Sequence, residues 1–423
     1  MKAITFTFLG MFCATFLFAQ WEPIGISASD AGITSMFSYG ETVMAGTDGD
    51  GIFKTEDSGQ NWTDISGNLP NNSINDIRGG VGPQVIWVAT QDGAYFTIDH
   101  SNYSNCSNGL TNTDVNYFWF GDGNSTFAEW AIGTNGGGVF VSAELEGPWN
   151  ASSTGISGDG LVVNDISGYT DDEVNFVVAG TDGGVYFSFD TLVTWTANNT
   201  GLSGEQLKVQ RVGCLGSMVL IATHNGFFYS LDFGNNWVPI FAEGKFNSLL
   251  FYPTGTGFNL FVIGEVGYYT PNLLDFYPID LTGIPGEVTS IATNSTYVFI
   301  GTATPAKSGK STGGIYRKPL DQLITGVEEQ SVSGIKTVQL DQNVPNPFKS
   351  KTRISYSLHE DGYVILKVYD MFGREVSSLV NDFKAQGQYQ VEFDASGLSE
   401  GLYFYILDAG KNNRITRKMM IAN

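Results

Sequence analysis

An internal repeat constrains the fold of this chain more than any other feature of its sequence. Seven apolar segments end in a small residue that is usually followed by threonine, as in Val43–Thr47 (VMAGT) and Val177–Thr181 (VVAGT). The small residues are spaced 43, 44, 47, 42, 42 and 37 positions apart. A period of about 40–45 residues is typical of a four-stranded propeller blade, so the repeat predicts an all-β, seven-bladed β-propeller over residues 20–324. The seven small residues are Gly46, Ala89, Gly133, Gly180, Ala222, Gly264 and Gly301.

Closure of the ring is predicted from an aromatic residue that opens the outermost strand of each repeat. The last repeat lacks it and runs from Tyr316 directly into Arg317-Lys318-Pro319. Near the N-terminus, however, Trp21-Glu22-Pro23-Ile24 matches Trp237-Val238-Pro239-Ile240. We therefore expect residues 21–26 to pair as the outer strand of the seventh blade and to cover its exposed edge. Six blades plus a stray strand fit this spacing less well. The six other aromatics are Trp62, Tyr103, Trp149, Trp195, Trp237 and Tyr277.

Two repeats carry the motif Ser/Thr-x-Asp-x-Gly-x-x-Trp between their third and fourth strands. An aspartate in a tight turn accepts backbone N–H bonds, and glycine there can take a positive φ. The motif resembles the Asp-box (BNR) repeat of propellers such as sialidases, sortilin-type receptors and xyloglucan-cleaving hydrolases. The resemblance implies a structural turn on the outer rim rather than a catalytic aspartate. The residues involved are Asp57, Gly59 and Trp62, Asp232, Gly234 and Trp237, and the worn pair Asp190 and Trp195.

Candidate catalytic residues are few. A sialidase needs three convergent arginines, and the predicted propeller has only Arg78, Arg211 and Arg317. A glycosidase needs two carboxylates across a cleft. Asp76 and Asp165, at equivalent places on inner strands two blades apart, are the only pair we nominate. The alternative, which we favour, is that these residues simply line a hydrated channel together with Asn116, Gln210 and Asn247.

Metal and cofactor chemistry has no support in the sequence. His100, His224 and His359 are isolated, with no second ligand at a useful spacing. The run 47–51 (TDGDG) lacks most of the oxygen ligands of a calcium loop and reads as a hairpin turn. Tyr117, Trp119 and Phe120 could form a glycan- or peptide-stacking patch, but aromatics inside strands more often pack between blades. We expect no cofactor and no metal.

The first 19 residues read as a signal peptide, with Lys2, an apolar core over Ile4–Phe18 and the small residue Ala19. No later run approaches the roughly 20 apolar residues of a membrane span, so we expect no transmembrane segment. Cys106 and Cys214 fall in distant repeats, and we expect them to stay unpaired.

Charge is distributed unevenly along the chain. Residues 20–325 carry 31 acidic and 9 basic side chains, whereas residues 326–423 carry 12 and 11. A surface as negative as that of the first part repels nucleic acid and anionic lipid, so we expect neither as a partner.

After a polar linker (325–337), residues 338–423 change to short alternating strands that predict a small Ig-like β-sandwich. The run 342–348 (QNVPNPF), the strand 366–370 (LKVYD) and the closing strand 416–420 (TRKMM) resemble the type A sorting domain of type IX secretion, found in Bacteroidota-like bacteria. The resemblance implies recognition by the type IX machinery and a secreted or cell-surface location. The residues that carry it include Pro345, Asn346, Pro347, Phe348, Gly373, Arg374, Gly401, Tyr403 and Lys418.

The sequence thus favours an exported, monomeric, non-catalytic propeller that binds a glycan, peptide or protein partner. The alternative is a glycoside hydrolase that acts on an extracellular polysaccharide, with Asp76 and Asp165 as its acid and base.

Overall fold

A computed structural model describes most of the chain between residues 21 and 421. The predicted signal peptide (1–19), the predicted linker (325–337) and His359, Gly373 and Arg374 lie outside the described residues. The described ranges are 21–26, 29–80, 82–121, 130–144, 146–170, 175–254, 257–271, 273, 275–304, 311–324, 338–358, 361–370, 375–398, 401–409 and 414–421.

The fold class is confirmed as all-β. Within the described residues, the larger part forms seven antiparallel four-stranded sheets, numbered here in chain order. The first strand, β1 (Glu22–Pro23), belongs to the last sheet. Sheet one holds β2 (Ile33–Tyr39), β3 (Thr42–Thr47), β4 (Ile52–Thr55) and β5 (Thr63–Asp64). Sheet two holds β6 (Ile74–Gly80), β7 (Gly82–Thr90), β8 (Gly93–Thr97) and β9 (Tyr103–Asn105). Sheet three holds β10 (Val115–Phe120), β11 (Trp130–Thr134), β12 (Gly138–Ser142) and β13 (Asn150–Ala151).

The remaining sheets repeat the same order. Sheet four holds β14 (Val163–Thr170), β15 (Asn175–Thr181), β16 (Gly184–Ser188) and β17 (Thr196–Ala197). Sheet five holds β18 (Val209–Leu215), β19 (Met218–Thr223), β20 (Gly226–Ser230) and β21 (Val238–Phe241). Sheet six holds β22 (Phe246–Thr254), β23 (Gly257–Gly264), β24 (Gly267–Thr270) and β25 (Tyr277–Ile279). Sheet seven holds β26 (Glu287–Thr293), β27 (Tyr297–Thr304) and β28 (Thr312–Pro319), with β1 as its fourth strand. Two short 3-10 turns (Gly158–Leu161 and Gly204–Leu207) and the helix α1 (Leu320–Ile324) complete this part.

The seven sheets form a closed cycle. Each first strand contacts the first strand of the next sheet, in the order β2, β6, β10, β14, β18, β22, β26 and back to β2. The second strands, which carry the repeated small residues, are almost entirely buried. Gly46 and Gly180 are small because a Cβ there would meet the first apolar residue of the next inner strand, Ile74 or Val209, at 2.6 and 2.8 Å. The repeat therefore reflects close packing between neighbouring sheets.

The N-terminal strand completes sheet seven. β1 pairs antiparallel with β28, in the register Glu22 with Arg317 and Pro23 with Tyr316. Arg317 donates from Nε to the Glu22 carboxylate at 2.8 Å, and its guanidinium also contacts the carbonyl of Ser58 in sheet one. The chain start therefore covers the edge of sheet seven, and Arg317 ties that sheet to the first one.

The C-terminal part is a separate two-sheet sandwich with its own apolar core. One sheet has the order β29 (Gln339–Leu340), β30 (Lys351–Leu358), β33 (Gly387–Asp394), and the other has β32 (Glu375–Lys384), β31 (Gly362–Asp370), β34 (Gly401–Asp408), β35 (Arg414–Ile421). Ile354 from the first sheet and Leu366 and Tyr405 from the second are fully buried between them. Along β30, buried and exposed residues alternate, as a strand with one solvated face requires. The short strands predicted for this part of the chain are present as β29 to β35.

Candidate functional site

A cavity of about 390 Å³ lies where the seven inner strands meet. Residues from all seven first strands line it, so it occupies the centre of the cycle of sheets. Its wall mixes charged and hydroxyl side chains with aromatic rings such as Phe37 and Phe251. Concave surfaces that combine apolar walls with a few polar groups are common ligand sites, so we take this cavity as the candidate site.

A β-bulge in every inner strand decides which side chains reach this centre. In all seven strands the register shifts just before the residue that stands two positions after the first apolar one, as between Ile74 and Asp76. A bulge re-aims the side chain that follows it. The residues that directly follow the shifts all line the cavity, and we call them the ring residues. They are Ser35, Asp76, Tyr117, Asp165, Arg211, Ser248 and Ser290.

The residue inside each bulge has a different role. Asn116 and Asn247 donate from Nδ2 to the carbonyls of Val163 and Val288, the first apolar residues of the next inner strands, at 3.0 and 2.8 Å. Asn75, Asn164 and Thr289 make the same bond to their neighbours at 2.8, 3.0 and 2.6 Å. Asn116 and Asn247, which we expected to line a channel with the aspartates, are not among the residues that line this cavity, and their amides join neighbouring sheets.

Asp76 is held by fixed donors on both oxygens. Its Oδ1 accepts a hydrogen bond from Ser35 Oγ at 2.9 Å, and its Oδ2 forms an ion pair with Arg78 Nε at 2.7 Å. The side chain is almost fully buried. Arg78 in turn stacks over the ring of Tyr117, with its guanidinium carbon 4.0 Å from the ring centre. Burial alone would lower the pKa of Arg78, but its interactions with Asp76, Tyr117 and Asp165 more than offset this effect and raise that pKa, so Arg78 stays positively charged.

Asp165 also accepts a hydrogen bond on each oxygen, but from backbone N–H groups. Its Oδ1 accepts from Ile166 N and its Oδ2 from Val212 N on the next sheet, both at 2.9 Å. Burial raises the pKa of Asp165, and the charges of Arg211 and Arg78 and the hydrogen bonds from Val212 and Tyr117 offset only part of that rise. Burial likewise raises the pKa of Tyr117 well above its ordinary value, so the phenol stays protonated and can donate to Asp165.

The two nominated carboxyl groups therefore lie in one cavity but in different environments. Asp76 forms an ion pair with a neighbouring arginine, whereas Asp165 forms none with the described residues and is desolvated. Sequence reasoning identified both, but it missed Ser35 and Ser290 as members of the same ring. A sequence pattern could have identified them, because each ring residue stands two positions after the first apolar residue of its inner strand.

The predicted Asp-box residues lie in turns between the third and fourth strands, away from this cavity. Asp57 accepts hydrogen bonds from Thr55 Oγ1, Asn61 N and Asn61 Nδ2 at 2.8, 2.9 and 2.7 Å, and Asp232 and Asp190 do the same in their own turns. Gly59 and Gly234 adopt φ values of 89° and 77°, which favour glycine. The geometry is that of a self-contained turn with the carboxylate at its centre.

The outer aromatics join neighbouring sheets by a repeated hydrogen bond. Five of these aromatic side chains donate a hydrogen bond to a backbone carbonyl of the preceding sheet. In each case the acceptor stands three positions after the outer aromatic of that sheet. Trp21 makes this bond to Asp280 of sheet six, so it takes the place of an outer aromatic for sheet seven. The indole N–H of Trp62 meets no acceptor among the described residues. The five donors and acceptors are Tyr103 to Ile65 (2.8 Å), Trp149 to Cys106 (2.6 Å), Trp195 to Ser152 (2.8 Å), Trp237 to Asn198 (2.9 Å) and Trp21 to Asp280 (2.7 Å).

We expect Asp57→Ala to destabilise the protein at neutral pH and to remove one source of acid sensitivity. The hydrogen bonds from Asn61 and Thr55 lower the pKa of Asp57 from 3.8 to about 2. A lowered folded-state pKa gives stability that is present above the unfolded pKa and is lost as pH falls through the folded one. The difference between wild type and variant in urea unfolding should therefore shrink between about pH 4 and about pH 2. Glu56→Ala, which removes an exposed neighbour outside these bonds, is the control, and a difference independent of pH would contradict the assignment.

No group of three or more metal-binding side chains occurs within the described part of the chain. Cys106 and Cys214 are free thiols, and burial raises the pKa of each to about 12, so they are unreactive at neutral pH. His100 lies in the turn of sheet two, where its backbone N–H bonds to Thr97. Trp119 and Phe120 pack against neighbouring sheets rather than forming an open stacking surface.

The motif residues of the C-terminal part meet along its last strand. Phe348 is buried in the sandwich core and donates its backbone N–H to Met420 O at 3.0 Å. Asn346 accepts from Met420 N at 2.8 Å, and the carbonyl of Lys418 accepts from Gln342 Nε2 at 2.7 Å. Pro345 accepts from Asn343 Nδ2 and Thr352 Oγ1, while Pro347 lies between these anchored residues. Tyr403 is buried, and Gly401 opens β34 opposite Ile421. The opening run is thus fastened to the closing strand β35.

Residues 344–422 match the secretion system C-terminal sorting domain family. The sorting domain indicates export to the outer surface or secretion and implies contact with the secretion machinery. Among the described residues, no helix is long and apolar enough to cross a membrane. A search of curated proteins gave no match to the chain.

Solved structures that resemble this chain are β-propellers. YCF48 bound to a D1 peptide is 15% identical, with a TM-score of 0.50 over 71% of this chain and 94% of that one. A second structure is described as the extracellular domain of the hybrid two component system BT3049 from B. thetaiotaomicron. It is 14% identical, with a TM-score of 0.54 over 94% of this chain and 56% of that one. The corresponding domain of the one component system BT4673 from the same organism is 15% identical, with a TM-score of 0.52 over 95% and 59%. The chain therefore spans less than two thirds of those two extracellular domains. At such identities the likeness shows the propeller fold alone.

Proposed function

We propose that this protein is an exported, non-catalytic binding module whose ligand enters the central cavity. One observation carries the proposal: both carboxyl groups of the cavity have their oxygens occupied by donors of the protein itself. Fixed donors on both oxygens hold each carboxyl group in one position and compete with a substrate for its lone pairs, which disfavours a role as general base or nucleophile. Asp76 and Asp165 instead hold neighbouring ring residues in place through these hydrogen bonds. Fixed side chains of this kind make a preorganised binding site.

Export through the type IX machinery, after an N-terminal signal peptide over residues 1–19, is part of the same proposal. The sorting domain supports it, as does the separate apolar core of that domain, since a self-contained module can be recognised without disturbing the cargo. We expect the cargo to be a monomeric propeller that presents its cavity outside the cell to a glycan, a peptide or a protein.

We expect the full chain to bind members of a glycan or peptide array without converting them. The Asp76→Asn variant should weaken binding, because it removes the counter-charge of Arg78 and releases that side chain from its position over Tyr117. Asp92→Asn, an exposed substitution outside the cavity, is the matched control. Chromatography of the bound ligands measures turnover, and product formed by wild type but by neither Asp76→Asn nor Asp165→Asn would overturn the non-catalytic proposal.

A glycoside hydrolase is the second candidate, and one specific feature favours it. Burial raises the pKa of Asp165, whereas Asp76 forms an ion pair with Arg78, and two such different environments suit a general acid and its carboxylate partner. If this candidate is correct, the rate should fall as pH rises through the pKa of Asp165, because the acid must be protonated. A search for turnover on extracellular polysaccharides between pH 4 and 8 tests it.

A further inference from the structure

We propose that the central cavity recognises a carboxylate on a small polar ligand, with Arg211 as the residue that binds it. This inference rests on the proposed binding function and names the ligand chemistry for the same site. It depends on which hydrogen-bonding groups of the cavity are used and which are free.

Two arginines line the cavity of an otherwise acidic domain, together with two aspartates. Residues 20–325 contain 31 acidic and 9 basic side chains, and only three of the basic ones are arginines. Two of these three, Arg78 and Arg211, line the cavity. Both approach it from inner strands, which are rigid elements suited to holding a recognition group.

The two arginines differ in how far the protein already uses them. Arg78 is engaged by Asp76 at 2.7 Å and stacked on Tyr117 at 4.0 Å. Arg211 donates from Nη1 to the carbonyl of Gln210 at 2.7 Å, and its other N–H groups meet no acceptor in the described part of the chain. Its charge acts on Asp165, but the two side chains form no direct ion pair, because Asp165 is bonded to Val212 N and Ile166 N. Arg211 therefore has unused donors beside the cavity.

A second unused group lies two sheets away. Ser290, the ring residue of sheet seven, is 4% exposed, lines the cavity, and its Oγ has no hydrogen-bond partner among the described residues. A buried hydroxyl without a partner is uncommon in folded proteins and is unfavourable unless something binds it. Arg211 and Ser290 flank Ser248 in the ring, so the unused groups are on sheets five and seven. The carboxyl groups that already accept hydrogen bonds, those of Asp76 and Asp165, are on sheets two and four.

The balance of donors and acceptors selects the ligand class. The cavity's charged acceptors, Asp76 and Asp165, are occupied, while guanidinium N–H donors are free. A neutral sugar must donate as well as accept, whereas a carboxylate only accepts and fits the planar guanidinium in a bidentate manner. A dianionic phosphate would bring a second negative charge next to Asp165 that no free cation offsets. A carboxylate is thus the group that this half of the ring fits best.

Isothermal titration calorimetry of the full chain with D-galacturonate, D-galactose and acetate tests the proposal. We expect D-galacturonate to bind at least tenfold more tightly than D-galactose, and Arg211→Gln to weaken it by about tenfold or more. Arg211→Lys, which keeps the charge but not the bidentate fork, should retain part of the affinity, and Ser290→Ala should weaken it a few fold. Lys54→Gln, which removes one positive charge at the surface, should leave all three affinities unchanged. Equal thermal unfolding temperatures show that each variant is folded.

The outcomes separate this inference from the function on which it rests. Equal affinity for D-galacturonate and D-galactose, no binding of any carboxylate, or no effect of Arg211→Gln overturns carboxylate recognition. Array binding of neutral ligands that Asp76→Asn weakens would then leave the binding function standing. If the full chain also bound no member of the array, the binding function itself would be overturned.

Discussion

Trp21→Ala should lower the free energy of unfolding by about 3–5 kcal/mol, the usual cost of removing a large buried aromatic. The indole is 6% exposed and packs among the apolar residues of sheets six and seven, and its Nε1 donates to Asp280 O at 2.7 Å. Trp21 directly precedes β1, the strand that covers β28. Its loss should therefore also loosen the edge of sheet seven. Urea unfolding of the full chain, followed by tryptophan fluorescence and circular dichroism, measures the change.

Trp62 offers a matched control for the hydrogen-bonding part of that effect. Both residues open outer strands, but the indole N–H of Trp62 has no acceptor among the described residues. Trp21→Phe removes a hydrogen bond, so it should cost about 1 kcal/mol more than Trp62→Phe. Equal costs for the two phenylalanine variants, or a negligible cost of Trp21→Ala, would show that the N-terminal strand does not close the ring as we infer.

Deletion of residues 338–423 should abolish appearance of the propeller outside the cell. The removed segment contains the whole sorting domain, and its core cluster includes no residue of the propeller. The truncated protein should therefore fold but remain in the periplasm. Fractionation of a bacterium that carries the type IX machinery, with immunoblotting of periplasm, surface and medium, measures the distribution.

The reciprocal fusion controls for damage to the cargo. Residues 338–423 attached to a periplasmic reporter should carry that reporter to the surface or the medium. The Trp21→Ala variant, which carries the intact sorting domain, controls for loss of export through reduced stability. External display of the truncated propeller at wild-type level would show that the sorting domain is not the export signal.

Much of the fold was predictable because it depends on local spacing. The small residues that end each second strand recur since a Cβ at Gly46 or Gly180 would collide with the next sheet, and that constraint is repeated in every unit. The match between Trp21 and Trp237 similarly pointed to β1 as the outer strand of sheet seven. The sorting domain was recognisable because each of its motifs is a short run of neighbouring residues, and the bonds from the first run to β35 show that the runs meet in the fold.

The candidate site was only partly predictable. The sequence by itself determined the strands, the turns and the presence of Asp76 and Asp165 on equivalent inner strands. The sequence did not distinguish Asn116 and Asn247, which bond to the neighbouring sheet, from the residues that face the centre. The reason is the bulge, which makes adjacent residues of the same strand point in different directions. Only the tertiary structure brought Arg78, Tyr117, Asp165 and Arg211 into one cavity, since they belong to four different sheets. It also decided which of them keep unused hydrogen-bonding groups, because that depends on contacts across the closed ring rather than on spacing along the chain.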